Sequence, residues 1–225
     1  MKRGEFYFGL LLLCLFFSLT CRHTPETVPS VPSQLEALEG YASLRTSGER
    51  GTARSKFSFA FKFPYKGKIG VTNFLGQTLY QIFITKGASY LVVPSKKVYW
   101  KGSSQEVIDK FLGFRLTLAE ICFLLTGQKK GKERLWKKWE IRRDEKGRIK
   151  GGHRGLFYFK VKEYFSQSYL IRVLTFHHSV NEGRIKVLTV NFNPTVKEKA
   201  LFPPNLRNYE QKTWREIQRM IQNEG

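Results

Sequence analysis

The chain has 225 residues, 41% of them hydrophobic and 15% aromatic, which suits one domain with a real core plus extensions and excludes a multidomain architecture. Lysine and arginine number 39 against 18 acidic residues, for a net charge of +21. The meaning of that charge depends on compartment, because the same surface attracts nucleic acid inside a cell and anionic lipid outside it.

The N-terminus addresses the compartment. Lys2 and Arg3 precede an apolar run at 6–19, the layout of a secretory signal peptide, and the run is shorter than the roughly 20 residues a spanning helix needs. Residues 1–20 are therefore predicted to be a signal peptide, and a nucleic-acid partner conflicts with export. Cys21, directly after this run, resembles the lipidated cysteine of bacterial lipoproteins, with Ser18 and Thr20 where that pattern usually has leucine and a small residue. Ordinary cleavage nearby is the alternative. With Cys14 removed and Cys21 acylated, Cys122 would stand alone in the mature chain as a buried small hydrophobe.

Residues 21–32 hold three prolines and little to bury, as a flexible tether would. Ser33-Gln34-Leu35-Glu36 reads as a helix capping box, and Leu35, Leu38 and Ala42, with Tyr41 as a further candidate, give the predicted helix, ending before Thr46, one apolar face. Phe57, Phe59, Phe61 and Phe63 then alternate with Ser58, Ala60 and Lys62, a period of two that predicts a strand with one aromatic face. Further strands are predicted over 68–72, 77–84, 89–93 and 97–101, joined by turns too short for parallel crossovers, so antiparallel pairing is expected.

Two short helices follow. Ser103-Ser104-Gln105-Glu106 and Thr117-Leu118-Ala119-Glu120 each place a hydroxyl three residues before a carboxylate, and Gly113 and Gly127 stop what they start. The first buries Val107, Ile108, Phe111 and Leu112; the second Leu118, Ile121, Cys122 and Leu125. Residues 129–154 carry twelve basic residues against four acidic ones, with Trp136 and Trp139 among them. A strand is predicted over 135–143, then a turn at 144–147, then strands over 156–165, 169–177 and 184–192, the last two separated by a turn around Asn181-Glu182-Gly183. Leu201-Phe202-Pro203-Pro204 is expected to end the sheet. Trp214, Ile217 and Ile221 share one face of a basic terminal helix within 206–225, packed on the sheet edge or lying at a surface.

Strands, two inserted helices and strands again predict an α+β fold: a half-open curved antiparallel sheet, an incomplete barrel, with helices covering its concave face. Such a sheet can leave an apolar cavity beneath the helices. The domain itself is expected over 33–205.

Val71-Thr72-Asn73-Phe74-Leu75-Gly76-Gln77-Thr78, with Glu106-Val107-Ile108, Leu116-Thr117-Leu118 and Leu124-Leu125-Thr126-Gly127, resembles the outer-membrane lipoprotein receptor LolB and its relatives, including the periplasmic carrier LolA. The resemblance covers roughly 35–127. It implies a half-barrel that binds lipoprotein acyl chains between its inner face and lid helices. It also implies a lipid-anchored location on the periplasmic face of the outer membrane and cargo received from a LolA-like carrier. In that family an apolar residue on a protruding loop promotes membrane insertion; here the matching residue is Leu75, with Phe74 in place of the usual proline.

Cavity lining is accordingly expected from Phe57, Phe59, Phe61, Phe63, Val107, Phe111, Leu118, Ile121 and Leu125, against the alternative that these are ordinary core. Phe74 and Leu75 would touch membrane, or form only a turn. Lys129, Lys130, Lys132, Arg134, Lys137 and Lys138 would be a solvated face, as charge runs usually are, or contact an anionic surface, a reading that the tryptophans beside them strengthen without making it the leading one. No cofactor and no metal set is expected. His177 and His178 are adjacent on a predicted strand and point to opposite faces, and no phosphate loop or nucleophile elbow is present, so an enzyme is not expected. The main rival is an accessory structural envelope lipoprotein that holds a protein partner or anionic lipid through 129–154.

Overall fold

The computed structural model describes residues 30–48, 51–73, 75–128, 136–166 and 168–222. Twelve strands form one sheet in the order β12-β6-β5-β4-β3-β2-β1-β11-β10-β9-β8-β7, open at both ends. The strands are β1 (Ala37–Gly48), β2 (Gly51–Lys62), β3 (Lys66–Thr72), β4 (Thr78–Ile84), β5 (Ser89–Val93), β6 (Val98–Gly102), β7 (Glu140–Arg143), β8 (Ile149–Arg154), β9 (Phe157–Tyr164), β10 (Ile171–His178), β11 (Asn181–Phe192) and β12 (Glu210–Gln211). Every neighbouring pair is antiparallel except β12 with β6, which is parallel. Among the described residues three α-helices, α1 (Ser104–Leu112), α2 (Leu118–Thr126) and α3 (Trp214–Gln222), accompany it. The expected α+β architecture, an open curved sheet with helices, is what forms.

The first helix expected from sequence is instead a strand. Residues 37–48 make β1, and Leu38, Gly40, Ala42 and Leu44 face the core while Tyr41 and Arg45 face solvent. Leu38 and Ala42 fit a period of four as well as a period of two, so the local pattern was ambiguous. Pairing decides it, because β1 is hydrogen-bonded on one side to β2 over its whole length and on the other to β11. The supposed cap at 33–36 bends at Ser33 and Gln34 without starting a helix, and Asn193 Oδ1 accepts from the amides of Glu36 and Ala37 at 2.8 and 3.1 Å.

Three other expectations shift. In the basic segment Trp136 to Lys138 form a turn, β7 is confined to Glu140–Arg143, and a further strand, β8, not among the expected ones, crosses Gly151 and Gly152. Residues 181–183 lie inside β11; the turn is at Ser179 and Val180, where Ser179 adopts φ +54°. The sheet also continues past the prolines at 203 and 204, since β12 adds a short edge beyond β6.

The start and stop signals of the two central helices read correctly. Ser103 and Glu106 bond reciprocally at the start of α1, Thr117 and Glu120 do so at the start of α2, and Gly113 and Gly127 end them at φ +84° and +74°. α3 packs at the sheet edge, with Trp214 5.5 Å from Trp100 and Ile217 fully buried.

Candidate functional site

The alternation in β2 aims Phe57, Phe59 and Phe61 to one face, where each is at least nine-tenths buried. Their rings run in series, 6.2 Å and then 5.5 Å between centroids, and Phe111 of α1 meets Phe57 edge-on at 5.4 Å. On the other half of the sheet Phe157, Leu174, Ile185 and Val187 face the same way. The linker between the helices turns Phe114 inward onto Phe157 and Phe176, at 4.3 and 4.7 Å. Between these surfaces lies a cavity of about 60 Å³ whose lining is almost wholly hydrocarbon.

Six residues expected to line it do so: Phe57, Phe59, Phe61, Phe111, Ile121 and Leu125. Phe63, Val107 and Leu118 do not. Val107 and Leu118 are core beneath the helices, and Phe63 is partly buried at the start of the turn after β2. Leu112, Phe114, Leu116, Leu124 and the contributors from β9 to β11 line the cavity without having been singled out. Leu124 was discoverable, being one helical turn from Ile121. Residues 185 and 187 alternate with Lys186, which is the same signal as in β2 with weaker side chains.

α2 is fixed by one buried carboxylate. Glu120 is 1% exposed, yet all its acceptor positions are engaged. Oε2 accepts from the Thr117 amide at 2.8 Å and its hydroxyl at 3.0 Å, while Oε1 accepts from Trp139 Nε1 at 2.8 Å and from Arg154 Nη1. Arg154 also lies over the Trp139 ring and donates to the Arg115 carbonyl. A charge so buried is tolerated because it is paired and fully hydrogen-bonded. α1 is tied by Ser104 Oγ, 2.9 Å from Ser89 Oγ and 3.2 Å from the Thr85 carbonyl.

This network also corrects the interfacial reading of the tryptophans. Trp136 and Trp139 are each 7% exposed and meet the Phe123 ring at tilted and edge-on angles, so they are core rather than membrane belt. Lys137 and Lys138, between them, are exposed; Lys129, Lys130, Lys132 and Arg134 lie outside the described residues, as do Cys21 and Phe74.

Leu75 sits at the tip of the β3–β4 hairpin, 67% exposed. Asn73 builds that tip: its Oδ1 accepts from the amides of Leu75 and Gln77, both at 3.0 Å, and Gly76 supplies φ +80°. A leucine is thus held outward by a hydrogen-bonded loop. His177 is exposed and His178 faces inward, 6.3 Å from the Phe114 ring, so the pair is split across the sheet. Among the described residues no cluster of potential metal ligands occurs.

Comparison with known proteins follows the same lines. A family model described as outer membrane lipoprotein LolB matches residues 37–172, past Gly127, where the motif resemblance ends, and through β8 and β9. No curated protein matches the sequence. Among solved structures, a domain described as an outer-membrane lipoprotein-sorting protein from Vibrio parahaemolyticus superposes with TM-score 0.50 at 10% identity, covering 75% of this chain and 90% of that one. A DUF1329 family protein from Desulfovibrio piger gives 0.52 at 7% identity, covering 78% and 93%. At such identities the likeness is one of fold.

Proposed function

The chain belongs to the LolB family, and from that premise we propose that it is a lipid-anchored envelope protein that takes lipoprotein acyl chains under α1 and α2 and assists their insertion into the outer membrane. The observation that carries this is the hydrocarbon-lined cavity roofed by two capped helices. A buried methylene contributes about 0.8 kcal/mol, so a chain of about sixteen carbons gains on the order of 12 kcal/mol before any cost, with no catalytic group needed. The present cavity is far below the roughly 300–1,000 Å³ of ordinary ligand sites. Loading therefore requires α1 and α2 to move away from the sheet and enlarge the cavity. Cys21 would carry the anchor, a LolA-like carrier would deliver cargo, and Leu75 would give the apolar foothold for insertion.

Native mass spectrometry with an added diacylated peptide tests the reading. The protein should take up one peptide, and Phe111→Asp, which puts a charge at the cavity wall, should abolish uptake while leaving the fold intact by circular dichroism. An apo mass at every peptide concentration would mean that the half-barrel is filled by its own side chains. Leu75→Glu should retain uptake and lose most transfer of the peptide to vesicles.

A further inference from the structure

The face of the sheet turned away from α1 and α2 carries a line of positive charge that strand register constructs. Arg54 of β2 lies opposite Arg45 of β1, and Arg45 lies opposite Arg184 of β11. The same line continues through Thr175 of β10, Lys160 of β9 and Gly151 of β8 to Arg142 of β7. Beside it, Lys56 and Lys186 flank Ser43 in a second row.

Like charges placed directly opposite on adjacent strands oppose folding. Little offsets them here: among the described residues the only ion pair reaching the first row is Arg184 with Glu163, at 3.4 Å and exposed. Glu182, nearby, is 3.7 Å from His177 instead. An arrangement that costs stability and, among the described residues, has a single exposed counter-charge is explained by an external one.

Two open clefts border the row, of about 590 and 460 Å³, and both are walled by Arg45 and Arg184. The second also takes in Lys56, Lys186, Thr72 and Asn73. Asn73 is the residue whose side chain shapes the Leu75 tip. Cations and exposed leucine are therefore contiguous. Six interstrand steps of about 4.8 Å put Arg54 and Arg142 roughly 29 Å apart along the sheet, a span that one phosphate cannot bridge but a headgroup layer can.

We infer that the Arg45–Arg54–Arg184 row and its lysine neighbours form a docking surface for anionic phospholipid headgroups, which holds the membrane beside the Leu75 tip. The inference rests on the membrane role proposed for Leu75, and it adds a lipid preference that the acyl cavity does not require.

Vesicle flotation tests it, using the chain from residue 22 onward so that neither the apolar leader nor an acyl anchor contributes. Three proteins are compared: this background, the background with Arg45→Gln, Arg54→Gln and Arg184→Gln, and a charge-matched control with Lys101→Gln, Arg207→Gln and Arg215→Gln at the opposite end of the sheet. Each is floated with phosphatidylcholine vesicles and with vesicles containing phosphatidylglycerol, at low and high salt. The background should prefer the anionic vesicles and lose that preference in salt. The row variant should partition on the order of 100-fold more weakly to them, near five-fold per cation, with the control within a few-fold of the background. Equal losses in row and control variants would reduce the effect to net charge and overturn the inference, as would an unchanged row variant. Leu75→Glu reads the loop separately. A loss on both vesicle types supports the loop, and if the row variant is unchanged in that case, the headgroup inference falls while the proposed function stands.

Discussion

Glu120 shows how much one side chain can carry. Its spacing from Thr117 announces a capping box, and that role is real. What the spacing could not disclose is that Oε1 reaches across to Trp139 and Arg154, since those partners lie 19 and 34 residues away. Cap and core are thus one group. Glu120→Ala should destabilise the fold by about 3–5 kcal/mol in urea denaturation, because it leaves a largely buried guanidinium and an indole N–H without their acceptor. Combining Glu120→Met with Arg154→Met should cost less than Glu120→Ala alone, since both charges leave together. The phenylalanines of β2 were legible for the opposite reason: their partners are two residues apart, and the period itself names the face.

At the scale of elements, local signals sufficed for α1, α2 and the strands with clean alternation, whereas β1 and β8 were decided by pairing. α1 and α2 have start and stop residues within their own sequence. β1 follows a capping-box pattern at 33–36 that starts no helix, and its identity comes from twelve-residue contact with β2 and a bulged ladder with β11. Gly40 marks the consequence. It sits next to the register shift between Tyr41 and Ala42, where a Cβ would stand 2.1 Å from the Thr189 carbonyl oxygen and 2.8 Å from Phe59 Cζ. The sheet closes over this position only because no side chain is present. Gly40→Val should therefore lower stability by about 2–4 kcal/mol and blur the Phe59 environment in near-ultraviolet circular dichroism, despite valine's preference for strands. β8 escaped notice because glycines at 151 and 152 and a flanking run of charge look like loop. The cavity was half legible, since its β2 wall is aromatic while its β9 to β11 wall uses alternation broken by the irregular register between β9 and β10.

The whole molecule should be least stable at the pH extremes, for different reasons. At the acid end, the Ser103 amide and hydroxyl hold the Glu106 carboxyl below its ordinary range, and Thr213 does the same for Glu216. A lowered folded value means the stabilisation is present above the unfolded value and lost as pH falls, so both caps weaken as these groups protonate. At the alkaline end, burial pushes the Tyr80 phenol up to about 12. A raised folded value means its contribution is intact below about 10 and disappears as pH climbs toward about 12, by at most about 3 kcal/mol. Denaturant midpoints from pH 3 to 12 should accordingly form a plateau with two shoulders, and Tyr80→Phe should flatten the alkaline one.

The central position of β1 also sets an order of events. One edge meets β2 as soon as residue 62 has emerged, but the other must wait for residues 181–192 at the far end of the chain. Until then a twelve-residue strand with a row of unsatisfied amides and carbonyls stands open in the middle of a half-built sheet. Long-range closure of this kind is slow, and exposed edges invite pairing between chains. A protein read as exported thus has reason to be escorted until its last long strand arrives, and the arginine at position 45, in the middle of that waiting edge, is well placed to keep two such edges apart.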